Sequence, residues 1–128
     1  MKVAQRNRFI AINKTASSLY SLLVDGKYRN TSLGRDTWKA LIGSQASLQI
    51  DCNREGFNVV SDFGHDYWPR ARIGIVANNQ NDCYTCDSGI GFGTSGYPYN
   101  ATTCGNGANG LFTAEGTNIK AVGYILVQ

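Results

Sequence analysis

The sequence lacks any run of about 18 consecutive apolar residues, which is the length that a transmembrane helix requires. We therefore expect no insertion into a membrane. The basic N-terminal stretch MKVAQRNRFIAINKT is not followed by the short apolar segment of a signal peptide, so it is not expected to be an intact one. No internal repeat and no flexible linker is evident. A chain of 128 residues has the size of one domain, which we assign to residues 1–128.

Histidine is nearly absent, and this scarcity argues against an enzyme. The single histidine, His65, has only Asp66 beside it, and neighbouring residues in a strand or turn point in different directions. No Gly-x-Ser-x-Gly nucleophile elbow precedes a predicted helix. Nothing singles out a carboxylate pair for glycosidic cleavage. We therefore expect a protein that is not an enzyme and assign no catalytic residue.

The chain also lacks a strong excess of charge of one sign, because its net charge is only +3. Residues 1–46 carry eight basic and two acidic side chains, whereas residues 47–128 carry four basic and seven acidic ones. Nucleic-acid-binding domains usually concentrate basic residues on one face. Here they are scattered among Asn, Ser and Leu, so we expect a solvated N-terminal surface and no nucleic-acid partner.

The first 46 residues predict two short helices. The segment TASSLYSLLVDGK has its leucines on one face, with Thr15 as a cap and Gly26 as its end. The segment RDTWKALIGS repeats this pattern, with Asp36 as a cap and Gly43 as the stop.

From Ser47 onward, short apolar runs and dense turn residues are typical of β-structure. The predicted strands are SLQIDC, GFNVVS, ARIGIVAN, SGIGFGT and NIKAVGYILVQ, with a charged turn at Asn53-Arg54-Glu55 after the first. The last segment is the longest and most apolar, so we expect it to lie centrally in a sheet, since an exposed edge of this kind invites aggregation.

The fold class predicted by these segments is mainly β, an antiparallel β-sandwich-like domain with one or two short N-terminal helices. An α+β domain is the alternative. Residues 1–46 form the helical N-terminal segment, and residues 47–128 form the β-rich, disulfide-bonded core. Glycines alternate with apolar residues in the predicted strands, and a strand face without side chains allows close approach. We expect the N-terminal helices to pack there.

Four cysteines suit two disulfides in an oxidising compartment. We favour Cys52–Cys83 with Cys86–Cys104, because each bond then closes a sizeable loop. Local closure of Cys83–Cys86 is the competing pairing. A redox role for this CxxC pair is disfavoured, because Cys86 is followed by Asp-Ser-Gly-Ile-Gly, which is a poor helix start. A zinc site is disfavoured because a second such pair is missing.

The Asn-rich stretch between the third and fourth predicted strands has two interpretations. Its side-chain oxygens are ligands that calcium prefers, although the spacing is not that of an EF-hand. Alternatively, these side chains form Asx-turns that hold the loop backbone. The candidate calcium ligands are Asn79, Asn81, Asp82 and Asp87. No other cofactor is predicted.

Two aromatic clusters, HDYW and GYPYN, point to sugar binding. Lectin sites stack a sugar on an aromatic ring and bond its hydroxyl groups with polar side chains. The alternative is that Tyr67 and Trp68 cover the edge of the sheet. The candidate ligand-binding residues are His65, Asp66, Tyr67, Trp68, Asn81, Asp82, Asp87, Tyr97 and Tyr99. Glycosylation sequons at Asn13, Asn30 and Asn100 fit secretion.

Four segments, WKALIGSQASLQIDCNREGFNVV, ARIGIVANNQNDCYTCDSGIGFG, TCGN and IKAVGYILVQ, together resemble a small domain of predicted secreted proteins of cnidarians such as corals and sea anemones. The resemblance covers residues 38–128 and all four cysteines. It implies a secreted, disulfide-bonded β domain with a role outside the cell, and it assigns no catalytic residue. Some secreted cnidarian β-sandwich proteins are galactose-type lectins, which is an analogy of setting and fold.

The function predicted from these features is extracellular, non-catalytic carbohydrate binding by a lectin-like protein. Its partners would be glycans on cell surfaces or in the extracellular matrix. A single small site binds sugar weakly, so we expect a homo-oligomer that gains avidity. The alternative is a structural extracellular-matrix or self-assembly module without a small ligand. A third interpretation, an enzyme, requires a cleft with a strongly perturbed carboxylate or histidine pKa.

Overall fold

The structure, a computed structural model, describes residues 8–62, 69–95, 104–108 and 118–128. Two helices and six strands lie in these ranges: α1 Leu19–Leu23, β1 Arg29–Asn30, α2 Arg35–Ile42, β2 Asp51–Val60, β3 Arg70–Asn78, β4 Ser88–Phe92, β5 Cys104–Ala108 and β6 Ile119–Lys120. The described ranges contain no helix long and apolar enough to span a bilayer.

The six strands form one antiparallel sheet in which chain order and spatial order are the same, β1-β2-β3-β4-β5-β6. The predicted mainly β class with two short N-terminal helices is therefore confirmed. All described strands belong to this one sheet, and side chains of α1 and α2 pack on one of its faces.

Both predicted helices form, but neither begins at the predicted cap. Ser18, not Thr15, is the N-cap of α1, because Ser18 Oγ accepts a hydrogen bond from the Ser21 backbone N–H and Ser21 Oγ accepts one from the Ser18 N–H. The N-cap of α2 is Gly34, and Asp36 lies in the first turn. Gly43 ends α2 as predicted, with a φ of 106°.

A carboxylate from the sheet binds the backbone just before α2, which has no side-chain cap of its own. Glu55 Oε1 accepts a hydrogen bond from Gly34 N at 2.7 Å, and Glu55 Oε2 accepts one from Leu33 N at 3.0 Å. The same Oε2 accepts bonds from Thr31 Oγ1 at 2.6 Å and from the Trp38 indole Nε1 at 2.8 Å. Glu55 therefore connects β2 to the start of α2 inside the protein.

The predicted charged turn at Asn53-Arg54-Glu55 is wrong, because these residues lie within the single ten-residue strand β2. The strand instead contains a bulge, where the pairing with β3 shifts between Asp51 and Arg54. Cys52 and Asn53 have φ values of 64° and 51° at this bulge. A bulge re-aims side chains without ending the strand.

The C-terminal segment is not the central strand that its composition predicts. Only Ile119–Lys120 pair with β5, at the outer edge of the sheet. Ala121 N–H donates one more hydrogen bond to the Cys104 carbonyl at 3.1 Å, and residues 121–128 belong to no strand. Val122, Tyr124 and Leu126 are 90%, 85% and 90% exposed. Alternating apolar residues give this segment a high propensity for β-structure. A strand also needs a neighbouring strand whose backbone groups are free over the same length, and β5 pairs with only two residues of the segment.

Apolar side chains pack on both faces of the sheet. Ile73 and Ile75 of β3 and Ile90 of β4 form one cluster with Leu22 of α1 and Trp38 of α2. Val59, Val76 and Cys86 form the second cluster. Successive residues of a strand point to opposite faces, so Ile75 and Val76 belong to different clusters. The helices therefore cover the isoleucine face.

The expectation that the alternating glycines pack against the helices is wrong for β3 and β4. Gly74 lies between Ile73 and Ile75, so its side-chain position points away from the helices. Four glycines in successive strands are paired in register: Gly56, Gly74, Gly91 and Gly105. A Cβ added at any of them would overlap a carbonyl oxygen of a neighbouring strand. We call this set the glycine row.

Candidate functional site

The disulfide Cys52–Cys83 is present as predicted, but the predicted Cys86–Cys104 bond is wrong because both cysteines are free. The register of the sheet explains why. Cys104 pairs with Phe92 at the end of β4, whereas Cys86 lies two residues before the start of β4 and six positions before Phe92. At about 3.3 Å per residue, their backbones are roughly 20 Å apart, well beyond the reach of a disulfide. The local Cys83–Cys86 bond is not formed either.

The disulfide fixes one end of an exposed loop, which we call the pinned loop and define as residues 79–84. Cys83 is bonded to Cys52 of β2, and the Cys83 carbonyl accepts a hydrogen bond from Asp62 N at 2.7 Å. At the other end, Asn78 is fully buried at the end of β3, and its Nδ2 donates to the Asp82 carbonyl at 3.0 Å. Both ends of the pinned loop are thus anchored to the sheet.

Asp82 holds the interior of the pinned loop. Its Oδ1 accepts hydrogen bonds from Tyr84 N at 2.7 Å and from Asn78 Nδ2 at 3.1 Å. Its own N–H donates to the Gln80 carbonyl at 2.7 Å. These contacts support the Asx-turn interpretation, in which a side-chain oxygen replaces a backbone partner.

The outer surface of the pinned loop is polar with one aromatic ring. Tyr84 is 55% exposed. The exposed polar side chains are Asn79, Gln80, Asn81 and Asp82. Tyr84 is absent from the residues predicted from the sequence, although its position next to Cys83, in a loop that the sequence predicts to be disulfide-bonded, offers a signal.

Asp87 is separated from this surface. It is 5% exposed, and its Oδ2 accepts a hydrogen bond from Gln49 Nε2 at 3.3 Å. Burial raises the pKa of Asp87, and the bond from Gln49 opposes that rise. The two carboxylates predicted to act together, Asp82 and Asp87, therefore contact different partners.

Buried polar side chains attach residues 47–49 to the sheet. Ser88 Oγ accepts from Gln49 N at 3.0 Å, and Asn106 Oδ1 accepts from Ser47 N at 2.6 Å. Asn106 Nδ2 donates to the Ser47 carbonyl at 2.7 Å. Gln49, Ser88 and Asn106 are all buried, so these bonds replace strand pairing for a segment that carries the core residue Leu48.

Within the described ranges, no three His, Cys, Asp or Glu side chains are grouped so as to hold a metal ion. Calcium at the pinned loop would therefore depend on the oxygens of Asn79, Asn81 and Asp82 and on backbone carbonyls. Asp82 Oδ1 is already engaged by two N–H donors.

The remaining predicted residues fall in two groups. Asn13 and Asn30, the first two sequon asparagines, are exposed. The others lie outside the described residues: His65, Asp66, Tyr67, Trp68, Tyr97, Tyr99 and Asn100. Of the predicted ligand-binding set, the structure thus describes Asn81, Asp82 and Asp87.

Comparison with known proteins gives no relative: no protein-family model, no curated protein and no solved structure matches this chain. Its function has to be inferred from the chemistry of the residues themselves.

Proposed function

We propose that this protein is an extracellular, non-catalytic recognition protein that binds carbohydrate through the pinned loop. The observation that carries the proposal is the exposed ring of Tyr84 beside exposed amide and carboxylate side chains, on a loop anchored at both ends. A disulfide is typical of proteins in oxidising compartments.

The chemistry of the pinned loop suits a sugar. A sugar has an apolar face that stacks on an aromatic ring and hydroxyl groups that need donors and acceptors nearby. Tyr84 offers the ring, and Asn79, Gln80 and Asn81 offer both donors and acceptors. Because the loop is held by the disulfide and by Asp82, little conformational entropy is lost when a ligand binds. A homo-oligomer would then raise the avidity of a weak single site.

A glycan array probed with oxidised protein tests this proposal, with calcium and with EDTA. We expect binding to a defined family of sugars that Tyr84→Ala reduces by at least about tenfold, since loss of one stacking contact costs about 1.4 kcal/mol or more. Tyr20→Ala is the matched control, because Tyr20 is 73% exposed on α1 and is not part of the loop. Loss of binding in EDTA would assign calcium to the loop. An array without signal for folded protein contradicts the proposal.

A second candidate function is self-assembly without a small ligand, as a structural extracellular-matrix module. The C-terminal segment, residues 121–128, favours it, because Val122, Tyr124 and Leu126 are at least 85% exposed. Contiguous exposed apolar side chains mark interaction surfaces. Light scattering coupled to size exclusion tests it: wild-type protein should form oligomers that Leu126→Ser weakens. A wild-type monomer at high concentration excludes this candidate.

A further inference from the structure

The sulfur atoms of Cys52, Cys83 and Cys86 lie close together next to the pinned loop. The Cys86 thiol lies 3.6 Å from Cys52 Sγ, which is itself bonded to Cys83. The Cys86 sulfur also lies 3.8 Å from the Cys83 carbonyl oxygen. A thiol at van der Waals distance from a disulfide sulfur is placed for thiol–disulfide exchange, which proceeds by direct attack of sulfur on sulfur.

The surrounding structure holds the three sulfurs together. Cys52 lies at the β2 bulge, where its φ of 64° departs from strand geometry. Cys86 is fully buried with Val59 and Val76, and the adjacent Asp87 N–H donates to the Ala77 carbonyl at 3.0 Å. Positive φ at a residue other than glycine costs about 1–3 kcal/mol, so the rest of the fold maintains this placement of Cys52.

We infer that Cys86 is an internal exchange partner of the Cys52–Cys83 disulfide. The Cys86 sulfur, as thiolate, attacks Cys52 Sγ, and a Cys52–Cys86 bond forms. The Cys52–Cys83 bond breaks, and Cys83 leaves as a thiolate that takes up the proton lost by Cys86. One thiol and one disulfide stand on each side of this step, so it needs neither an oxidant nor a reductant.

The exchange moves the free thiol from the interior to the pinned loop. Cys86 is fully buried, whereas Cys83 is only partly buried and lies next to the exposed Tyr84. After exchange, the disulfide joins β2 to the residue just before β4, and Cys83 becomes a thiol that external disulfides can reach. The pinned loop would then become a site of reversible covalent modification, whether or not it binds sugar.

The charges around Cys86 determine the conditions of the test. Burial raises the pKa of Cys86 to about 12, while Arg54 lowers it and Asp87, Asp62 and Asp82 add to the rise. Below its pKa, the thiolate fraction grows tenfold with each pH unit, and exchange requires the thiolate. We therefore expect slow exchange at neutral pH and a rate that rises about 100-fold over two pH units.

The experiment uses full-length Cys104→Ser protein, in which the only cysteines are Cys52, Cys83 and Cys86. Native protein is held at about pH 7 or about pH 9, quenched in acid, unfolded, alkylated at low pH and mapped by mass spectrometry. We expect the alkylated site to shift with time from Cys86 to Cys83 until a plateau is reached, faster at the higher pH. The matched control, Cys86→Ser with Cys104→Ser, should take up no label.

Three results would overturn the inference. Alkylation that stays on Cys86 at both pH values means that no exchange occurs. Label on Cys52 means that Cys86 attacks Cys83 instead. A rate that rises with urea below the unfolding transition means that exchange needs global unfolding rather than the native geometry. Glycan binding is not part of this readout, so failure of the proposed function would leave it unaffected.

Discussion

Glu55→Gln removes the charge from a carboxylate that accepts four hydrogen bonds, three from the connection between β1 and α2 and one from α2. Glu55 is 6% exposed, and its donors are Thr31 Oγ1, Leu33 N, Gly34 N and Trp38 Nε1. If the glutamine oxygen takes the position of Oε2, its amide nitrogen faces the Gly34 N–H, and that partly buried donor loses its partner. An unsatisfied buried donor costs about 1–3 kcal/mol, and a partly buried one costs about 1 kcal/mol, at the lower end of that range.

The other three bonds would weaken, because a charged acceptor becomes a neutral one, at about 0.5–1 kcal/mol each. We therefore expect Glu55→Gln to lower the free energy of unfolding by about 3 kcal/mol at neutral pH. Urea unfolding followed by tryptophan fluorescence should show a midpoint lower by about 2 M. The matched control is Asp36→Asn, which removes one charge from an exposed residue in the first turn of α2 and should cost under about 1 kcal/mol.

The pH dependence distinguishes the charge from a packing effect. Burial raises the pKa of Glu55, but the bonds from Thr31, Trp38, Gly34 and Leu33 outweigh it, so the pKa lies below 4.5. A carboxyl group whose pKa is lowered by folding stabilises the protein above its unfolded pKa, and this contribution is lost as pH falls through the folded value. The difference between wild type and Glu55→Gln should therefore shrink below about pH 4.5. A difference under about 1 kcal/mol at neutral pH, or one that does not change with pH, would refute the reasoning.

Two further substitutions test the sheet and its buried carboxylate by the same urea assay. Gly105→Ala should destabilise the protein by about 2 kcal/mol or more, because Gly105 has a φ of 131° and an added Cβ would overlap the Ile119 carbonyl oxygen. The control is Gly107→Ala, whose Cβ would have Asn118 Oδ1 at 3.6 Å as its nearest described neighbour, and which should cost about 1 kcal/mol or less. Equal losses of stability in the two variants would contradict the overlap. Asp87→Asn should stabilise the protein at neutral pH by about 1 kcal/mol, because burial raises the pKa of Asp87 above 3.8 and ionisation of the folded protein is therefore costly. That gain should vanish as pH falls below the unfolded pKa, where the carboxyl group is protonated in both states, and a loss of stability at neutral pH would contradict the sign.

The parts of the fold that follow a local pattern could be predicted from the sequence. In β3 and β4, Ile73, Ile75 and Ile90 alternate with glycine or valine along uninterrupted strands, so the period of two identifies both the strands and the buried face. Gly43 ends α2 because its positive φ is a property of glycine itself.

The parts that depend on distant partners could not be predicted. Glu55 resembles a turn residue beside Asn53 and Arg54, yet its hydrogen-bond donors lie 17 to 24 positions earlier in the chain. Loop size favours the pairing of Cys86 with Cys104, but it ignores the register, which places Cys104 beside Phe92 at the far end of β4 while Cys86 lies just before the start of β4. The C-terminal segment has the composition of a strand, but β5 pairs with only two of its residues.

Some residues of the candidate site could be predicted from the sequence, and others could not. The polar residues Asn81 and Asp82 are recognisable from composition alone. Whether a carboxylate faces solvent or the interior depends on neighbours such as Gln49, which lies 38 positions from Asp87. Tyr84 was missed because its exposure follows from the Cys52–Cys83 bond and from the turn around Asp82.

The glycine row bears on how this sheet avoids misfolding. Antiparallel strands with similar apolar content can pair with a shift of one residue, which exchanges the two faces of a strand. In β4, such a shift would bring Ile90 or Phe92 to the place of Gly91, where the Ile73 carbonyl oxygen leaves no room for a Cβ. The same steric penalty applies between β1 and β2, where a Cβ at Gly56 would overlap the Arg29 carbonyl oxygen, and between β5 and β6, where a Cβ at Gly105 would overlap the Ile119 carbonyl oxygen. Residues without side chains thus select the alignment of three strand pairs by making the misaligned alternatives sterically inaccessible.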